Sequence, residues 1–246
     1  MRSCRWRDVP TILSIAAGAL ASGPATAAAQ AINWTDWLSA TPIVGNTATV
    51  TGSILVEGTP VGISYSGEVA FTQTTGGTNF WMPRSTFLGA SLTDAAPISS
   101  DIIALNGGLG ITSTFTFATP VLNPFISIVS AGRPGLPVDY IFSAEPTIVA
   151  GGASASFGGG PLVPLPGDPN GVRGLEGNGT VRFNGSFTSL SFTTVGGEFW
   201  SGITIGIEGL AEEPPPSVVP EPSTVLLTAT GLLGTLAAAR RRRRSG

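Results

Sequence analysis

Apolar and polar residues alternate over short stretches through the middle of the chain, from about residue 30 to 210. Ala48, Val50, Ile54 and Val56, for example, fall on one face of a strand whose other face carries threonine and serine. A period of two residues is that of a β-strand with one buried face, whereas a helix repeats every 3.6 residues. No stretch from residue 30 to 222 shows the helical period, so this part of the chain is expected to fold as β-sheet.

Further stretches are expected to be strands on the same grounds: residues 63–71, 111–117, 125–129, 138–142, 181–192 and 203–207. The connection between the first two strands is expected at residues 58–60. A shift of the apolar frame after Phe187 predicts a bulge or bend near Thr188 and Ser189. In the last strand, Thr204 and Glu208 are expected to face solvent.

The chain has 34 glycines and 20 prolines but only 11% charged residues, a composition typical of short strands joined by tight turns. Antiparallel strands with one solvent-exposed face predict an all-β fold, and specifically an antiparallel β-sandwich of jelly-roll type. The glycine-rich residues 151–178 are expected to form a loop, and no fixed repeat points to a propeller or solenoid.

Residues 1–29 have the features of a signal peptide, with arginines followed by a 12-residue apolar stretch that is too short to span a membrane. Ala27 and Ala29, just before Gln30, provide the small residues that signal peptidase requires. We therefore expect export through the Sec translocon, with residues 30–210 as the exported domain. The one cysteine, Cys4, leaves with the peptide, so this domain has no disulfide.

The C-terminal end has three parts in a fixed order. After an acidic, proline-rich linker at residues 211–219 comes the short motif Pro220, Glu221 and Pro222. The uncharged residues 225–239 follow and predict one transmembrane helix; 17 residues counted from Ser223 give roughly 25 Å, slightly less than the ~30 Å hydrocarbon core. The chain then carries five arginines, Arg240, Arg241, Arg242, Arg243 and Arg244. By the positive-inside rule they stay in the cytoplasm, act as a membrane stop and leave the domain outside.

This order closely resembles the PEP-CTERM sorting signal of exosortase substrates, over about the last tenth of the chain. The resemblance implies a single-pass intermediate in the inner membrane, cleavage near the motif by an exosortase-type enzyme, and delivery to the cell surface or an extracellular matrix. The alternative is an ordinary C-terminal anchor.

The charge of residues 30–219, between the signal peptide and the sorting motif, limits the partners of this part. Of 12 basic residues, three lie before residue 8 and five at the end, which leaves four against 13 acidic residues, a net charge of about −9. This charge argues against nucleic acid and anionic membrane surfaces as partners, and its simplest explanation is solubility outside the cell.

The chain contains no histidine and no lysine, which excludes His-dependent nucleophiles, histidine-bound metals and Schiff-base chemistry. We expect no enzyme, no catalytic residue, no metal and no cofactor. The most probable class is an exported structural or interaction protein. The runner-up is a carbohydrate-binding module of the extracellular polysaccharide matrix, and the third is a carboxylate-dependent glycosidase that uses acids such as Asp168, Glu176 or Glu198.

Two binding hypotheses remain, one for a sugar and one for calcium. Trp81 lies in a glycine-rich segment, so it is either an exposed platform for a sugar ring or a core residue. Asp168, Asn170 and Glu176 offer oxygen ligands for calcium, but their spacing does not fit an EF-hand loop, and a plain turn is the simpler interpretation.

Overall fold

The computed structural model describes residues 31–89 and 97–211. The signal peptide with its cleavage site, residues 212–219 of the linker, and the whole sorting tail lie outside the described residues. Within them the chain is nearly all β, as predicted, with one short helix, α1 (Arg84–Phe87). The strands are β1 (Asn33–Ala40), β2 (Thr47–Val56), β3 (Thr59–Glu68), β4 (Phe71–Gln73), β5 (Ile102–Leu105), β6 (Ser113–Ala131), β7 (Val138–Phe142), β8 (Pro146–Gly151), β9 (Gly160–Pro161), β10 (Val163–Pro164), β11 (Gly171–Gly174), β12 (Gly177–Phe183), β13 (Ser186–Val195) and β14 (Ser201–Leu210).

The long strand β6 belongs to two sheets. Its first half pairs with β3 and β13, and its second half pairs with β14 and β12. Between the halves its pairing with β13 jumps from Val121 to Thr116, so the intervening residues bulge out of the ladder. The expectation of two separate strands, at residues 111–117 and 125–129, was therefore wrong. The stretch between them, which contains two prolines, is a bend within one strand.

The strands form one continuous hydrogen-bonded sheet of 14 strands, which the bend of β6 divides into two sheets. One sheet has the order β10-β11-β7-β13-β6-β3-β2, and the other has the order β4-β5-β14-β6-β12-β8. β1 closes the other side, because it pairs with β14 at Asn33 and Trp34 and with β2 from Thr35 onward. Strands that bend from one sheet into the other form the corners of a sandwich. All pairings between these strands are antiparallel except that of the short β9 with β12, which confirms the predicted antiparallel fold.

Aromatic rings fill the space between the sheets. Phe115 contacts Tyr65 at a centroid distance of 5.1 Å and lies 6.3 Å from Trp37. Phe142 of one sheet meets Phe183 of the other edge-on at 5.0 Å. All five side chains are at most 3% exposed. Removing one such ring typically costs about 3–5 kcal/mol, so this layer is a principal source of stability.

Several local predictions are confirmed or corrected by the pairing. The register of β13 against β6 shifts between Phe187 and Ser189, as expected. The first hairpin turns instead at Glu57 and Gly58, whose φ values of 49° and 84° suit a tight two-residue turn. Thr204 is fully buried, because β14 lies inside its sheet and is covered on both faces.

The glycine-rich residues 151–178 are more ordered than expected, since they include β9, β10 and β11. Asn178 is fully buried and fixes this segment. Its amide nitrogen donates to the carbonyl oxygens of Glu176 and Gly158 at 3.0 Å, and its Oδ1 accepts from the amide of Ser130 at 2.8 Å. One buried side chain thus joins the loop, a turn and the end of β6.

Residues 30–210 produced alone are expected to fold without metal or reducing agent. The sandwich has its own core, and this part of the chain contains no cysteine. Circular dichroism should show a β-rich spectrum and one cooperative thermal transition. A transition that disappears on addition of a calcium chelator would contradict this expectation.

Candidate functional site

Four connections meet at one end of the sandwich, and each carries the chain from one sheet to the other. We call this region the four-loop end and define it as residues 106–112, 132–137, 175–176 and 196–200. The first connection ends at the N-terminus of β6, and the second begins at its C-terminus. Because the two halves of β6 belong to different sheets, both connections cross between the sheets. The fold therefore brings together segments that lie far apart in the sequence.

Glu68 holds the first connection in place. Its carboxylate is 1% exposed, and Oε1 accepts a hydrogen bond from the amide of Gly107 at 2.7 Å. The hydroxyl of Thr194 accepts from the amide of Gly108 at 2.9 Å, which ties the same loop to β13. The amide of Glu198 donates to the carbonyl oxygen of Asn106 at 3.2 Å. The first and fourth connections are thus fixed to each other and to the core.

Close backbone contacts at this end require glycine. Gly108 has a φ of 68°, and a Cβ placed there would lie 2.8 Å from the carbonyl carbon of Gly196. Gly132 has a φ of 71°, and its Cβ would lie 2.5 Å from the carbonyl oxygen of Gly174. Both positions combine a left-handed conformation with no room for a side chain. The four connections therefore pack with their backbones almost in contact.

A cleft of about 360 Å³ opens among these connections. Its lining residues are Asn106, Gly107, Leu109, Arg133, Gly197, Glu198 and Phe199. The Phe199 ring is 83% exposed, and the guanidinium carbon of Arg133 lies 5.2 Å from its centroid. A cation at this distance from an aromatic face is attracted by the ring quadrupole. Arg133 therefore orients an aromatic ring that projects into solvent.

Glu198 is the titratable group of this cleft. Burial raises its pKa from 4.5 to about 8, and the charge of Glu176 acts in the same direction. Hydrogen bonds from the Gly132 backbone and the Ser201 side chain, and the charge of Arg133, only partly oppose this rise in pKa. Ser201 in turn lies 2.6 Å from the hydroxyl of the buried Tyr140. At neutral pH, Glu198 is therefore mostly protonated.

Two buried polar atoms of the cleft residues have no hydrogen-bond partner among the described residues. They are Nε of Arg133, a donor, and Oε1 of Glu198. A buried polar group without a partner costs about 1–3 kcal/mol. Such groups in a cleft are suited to bind a ligand that supplies the missing hydrogen bonds.

A second, larger cleft of about 770 Å³ lies between β8 and the loop that joins β10 to β11. Its lining residues are mainly apolar and include several prolines. Asp168 is here, but its Oδ1 already accepts from the amide of Asn170 at 2.9 Å, as in an ordinary turn. This cleft offers shape but few converging polar groups, so the four-loop end is the better candidate.

Trp81 is a core residue. Its side chain is 1% exposed, its Nε1 donates to the carbonyl oxygen of Asp101 at 3.0 Å, and it packs edge-on against Phe87 at 5.2 Å. The exposure on which the sugar-platform hypothesis depended is absent, so the structure supports core packing. Trp200 is also packed, against Phe71, Phe80 and Phe157.

The proposed calcium ligands are not brought together. Asp168 and Asn170 precede β11, whereas Glu176 follows it, and a four-residue strand spans roughly 13 Å. Oxygen ligands of one calcium ion lie about 2.3–2.6 Å from it, so the three cannot share an ion. Glu176 instead accepts a hydrogen bond from the Ser130 hydroxyl. No group of three or more acidic, histidine or cysteine side chains that could hold a metal occurs in residues 31–89 and 97–211.

The same geometry bears on the acids considered for a glycosidase. Asp168 lies at the larger cleft, away from Glu176 and Glu198. Only Glu176 and Glu198 are near enough to influence each other electrostatically, and Glu176 is engaged by Ser130.

The sequence did not single out Arg133 or Phe199. Phe199 follows Gly196 and Gly197, and Trp81 follows a similar glycine pair, so the local context is the same for an exposed ring and a buried one. The contact of Arg133 with Phe199 joins residues 66 positions apart and has no local signature.

The remaining sites of the sequence analysis, namely the sorting motif, the arginine block and the signal cleavage site, lie outside the described residues. In the part of the chain that the structure covers, no helix has the length and apolar character needed to cross a membrane. The predicted span at residues 225–239 lies beyond that part.

Comparison with known proteins identifies the tail. Residues 218–244 match the family described as the PEP-CTERM protein-sorting motif, which confirms the resemblance found in the sequence. The motif marks a protein that is exported to the cell surface and processed by an exosortase. No curated protein and no solved structure matches the chain.

Replacing Trp81 with alanine is expected to lower the free energy of unfolding by about 3–5 kcal/mol, because it leaves a large cavity and an unpaired carbonyl oxygen. Phe199→Ala is the matched control, and it should cost less than about 1 kcal/mol since the ring is solvated. Chemical denaturation of the two variants measures both values. Equal losses would contradict the assignment of Trp81 to the core.

The raised pKa of Glu198 predicts that stability falls as the pH rises. Between pH 4.5 and about pH 8, the Glu198 carboxyl has lost its proton in the unfolded chain but retains it in the folded chain. Its stabilising contribution is therefore complete below pH 4.5 and is lost as the pH rises through about 8. Asp101, whose pKa burial raises to about 6, acts in the same direction at lower pH. Thermal melts between pH 6 and 8 therefore report mainly Glu198.

Glu198→Gln should remove most of this pH dependence and raise the melting temperature at pH 8. Glu145→Gln, which changes an exposed carboxylate, should retain the slope of the unmodified protein. The assignment is wrong if Glu198→Gln keeps that slope as well.

Proposed function

We propose that this protein is a non-catalytic structural or interaction module, delivered to the cell surface or to an extracellular polysaccharide matrix. It leaves the cytoplasm through the Sec translocon and is held in the inner membrane by residues 225–239. An exosortase-type enzyme then cuts it near Pro220, Glu221 and Pro222. The observation that carries this proposal is the sorting-motif match at residues 218–244.

The properties of the tail support a transient membrane stop. Drawing an arginine through the hydrocarbon core costs about 2.5–3.5 kcal/mol on insertion scales, and five stand in a row. The span before them is short and contains threonine, so it is a weak permanent anchor. A sequence with two prolines around one residue favours an extended segment with few internal hydrogen bonds, which suits entry into a protease cleft.

The orientation of the sandwich supports an outward-facing module. Asn33 at the start of β1 pairs with Ile207 near the end of β14, so both ends of the described chain leave from the same end of the molecule. The four-loop end lies at the start of β14, which spans roughly 30 Å over its 10 residues. The cleft therefore lies at the end of the body opposite to the one from which the chain leaves towards its C-terminus.

Two changes in the tail should act differently in cells. Replacing Pro220, Glu221 and Pro222 with alanine leaves the membrane stop intact, so the protein should stay uncut and membrane-bound. Deleting Arg240 to Arg244 weakens the stop, so uncut protein should be released. Fractionation and mass spectrometry of the C-terminus distinguish these products.

The unmodified protein provides the decisive comparison. Its mature C-terminus should lie near the motif and lack the arginines. A surface protein that still carries the arginines would show a plain membrane anchor. Turnover of a chromogenic glycoside that Glu198→Gln abolishes would instead contradict the non-catalytic assignment.

A further inference from the structure

Each of the four connections at the four-loop end carries one exposed apolar side chain. Phe199 is 83% exposed, and Leu109, Leu136 and Leu175 on three neighbouring connections are 46%, 48% and 52% exposed. Single exposed apolar residues are common, but several on adjoining loops around a cleft mark a binding surface. The aromatic ring is the largest of them and the one that Arg133 fixes in orientation.

The polar groups of the cleft select the chemistry of the ligand. Arg133 Nε needs an acceptor, and Glu198 Oε1 needs a hydrogen bond of its own. A hydroxyl group both donates and accepts, so one or two neighbouring hydroxyls satisfy both atoms. A ligand with hydroxyls along its edge and C–H groups on its face matches this combination of polar atoms and exposed aromatic ring.

We propose that this cleft binds a neutral hexopyranose unit of a polysaccharide, with the sugar face against Phe199 and its hydroxyls on Arg133 and Glu198. The volume of about 360 Å³ lies at the lower end of the range of roughly 300–1,000 Å³ typical of small-molecule sites, as a short saccharide requires. The inference takes its biological setting, an extracellular polysaccharide, from the proposed function.

The charge of the protein favours a neutral sugar over an acidic one. The residues between the two processed ends carry a net charge of about −9, with only four arginines. A polyanion such as a polyuronate is repelled by this field as it approaches. Arg133 is the one arginine among the residues that line the cleft, so its positive charge is the single local exception to this field.

The position of the cleft is consistent with a polymeric ligand. The cleft is open and lies at the end of β14 opposite Leu210, from which the chain leaves the folded body, so a long polysaccharide chain can pass over it. The backbone packing at Gly108 and Gly132 holds the connections close together, so the site is formed before the ligand binds.

The test uses the full chain, purified from membranes in a zwitterionic detergent that has no sugar headgroup. The probes are neutral glucose, galactose and mannose trisaccharides and a uronic-acid trisaccharide of the same length. Isothermal titration calorimetry and saturation-transfer NMR measure binding. At least one neutral probe should bind, with its ring C–H protons nearest the protein, and the uronate should bind more weakly.

The variants separate the parts of the site. Phe199→Ala should weaken binding about tenfold or more, and Arg133→Lys, which removes Nε but keeps the charge, should also weaken it. Glu198→Ala should weaken binding more than Glu198→Gln, since glutamine keeps hydrogen-bonding capacity. Leu55→Ala, which changes an exposed apolar residue at the distant β2–β3 hairpin, should leave affinity unchanged.

Three results would overturn the inference. They are no binding of any neutral probe, binding that Phe199→Ala leaves intact, and tighter binding of the uronate. If Phe199→Ala abolishes self-association while no sugar binds, the surface is a contact between copies of the chain. None of these results depends on C-terminal cleavage, so the outcome is independent of the sorting experiment.

Discussion

The continuity of β6 is the constraint on which the rest of the structure depends. This one strand is hydrogen-bonded along both edges to four others and passes through the bend between the two sheets. Backbone groups buried in a core must be paired, and a shared strand pairs them at the corner where two separate sheets would leave open edges. The path of β6 also determines where the chain crosses between the sheets, and therefore which connections meet at the cleft.

The amphipathic strands were predictable from sequence because each has a single environment along its length. β2, β3 and β7 each present one buried face, and their alternating residues show it. β6 and β14 were harder to predict, since the first changes neighbours halfway along and the second is covered on both faces. A period-two pattern reports how a residue faces the core. It does not report which strands share a sheet.

The candidate site was less accessible to sequence reasoning. The tail is a contiguous motif, so its parts could be recognised in order. The cleft depends on pairs such as Glu68 with Gly107 and Arg133 with Phe199, which only the fold brings together. Glu198 was noticed as an acid, but its raised pKa results from burial in the folded chain and, to a smaller extent, from the charge of Glu176. Trp81 shows the opposite case, because a glycine-rich segment that suggests exposure folds back over the core.

The position of β14 determines how the body would respond to a pull on its C-terminal end. The chain leaves from Leu210, and the next residue, Ala211, donates its amide to the carbonyl oxygen of Pro120. Because β14 lies inside the sheet and pairs with β6 up to its last residue, tension along the strand loads many hydrogen bonds in shear at once. If an edge strand were pulled perpendicular to its length, its hydrogen bonds would instead break one after another. The connection between the module and whatever holds its C-terminal end is therefore mechanically strong on the side of the folded body.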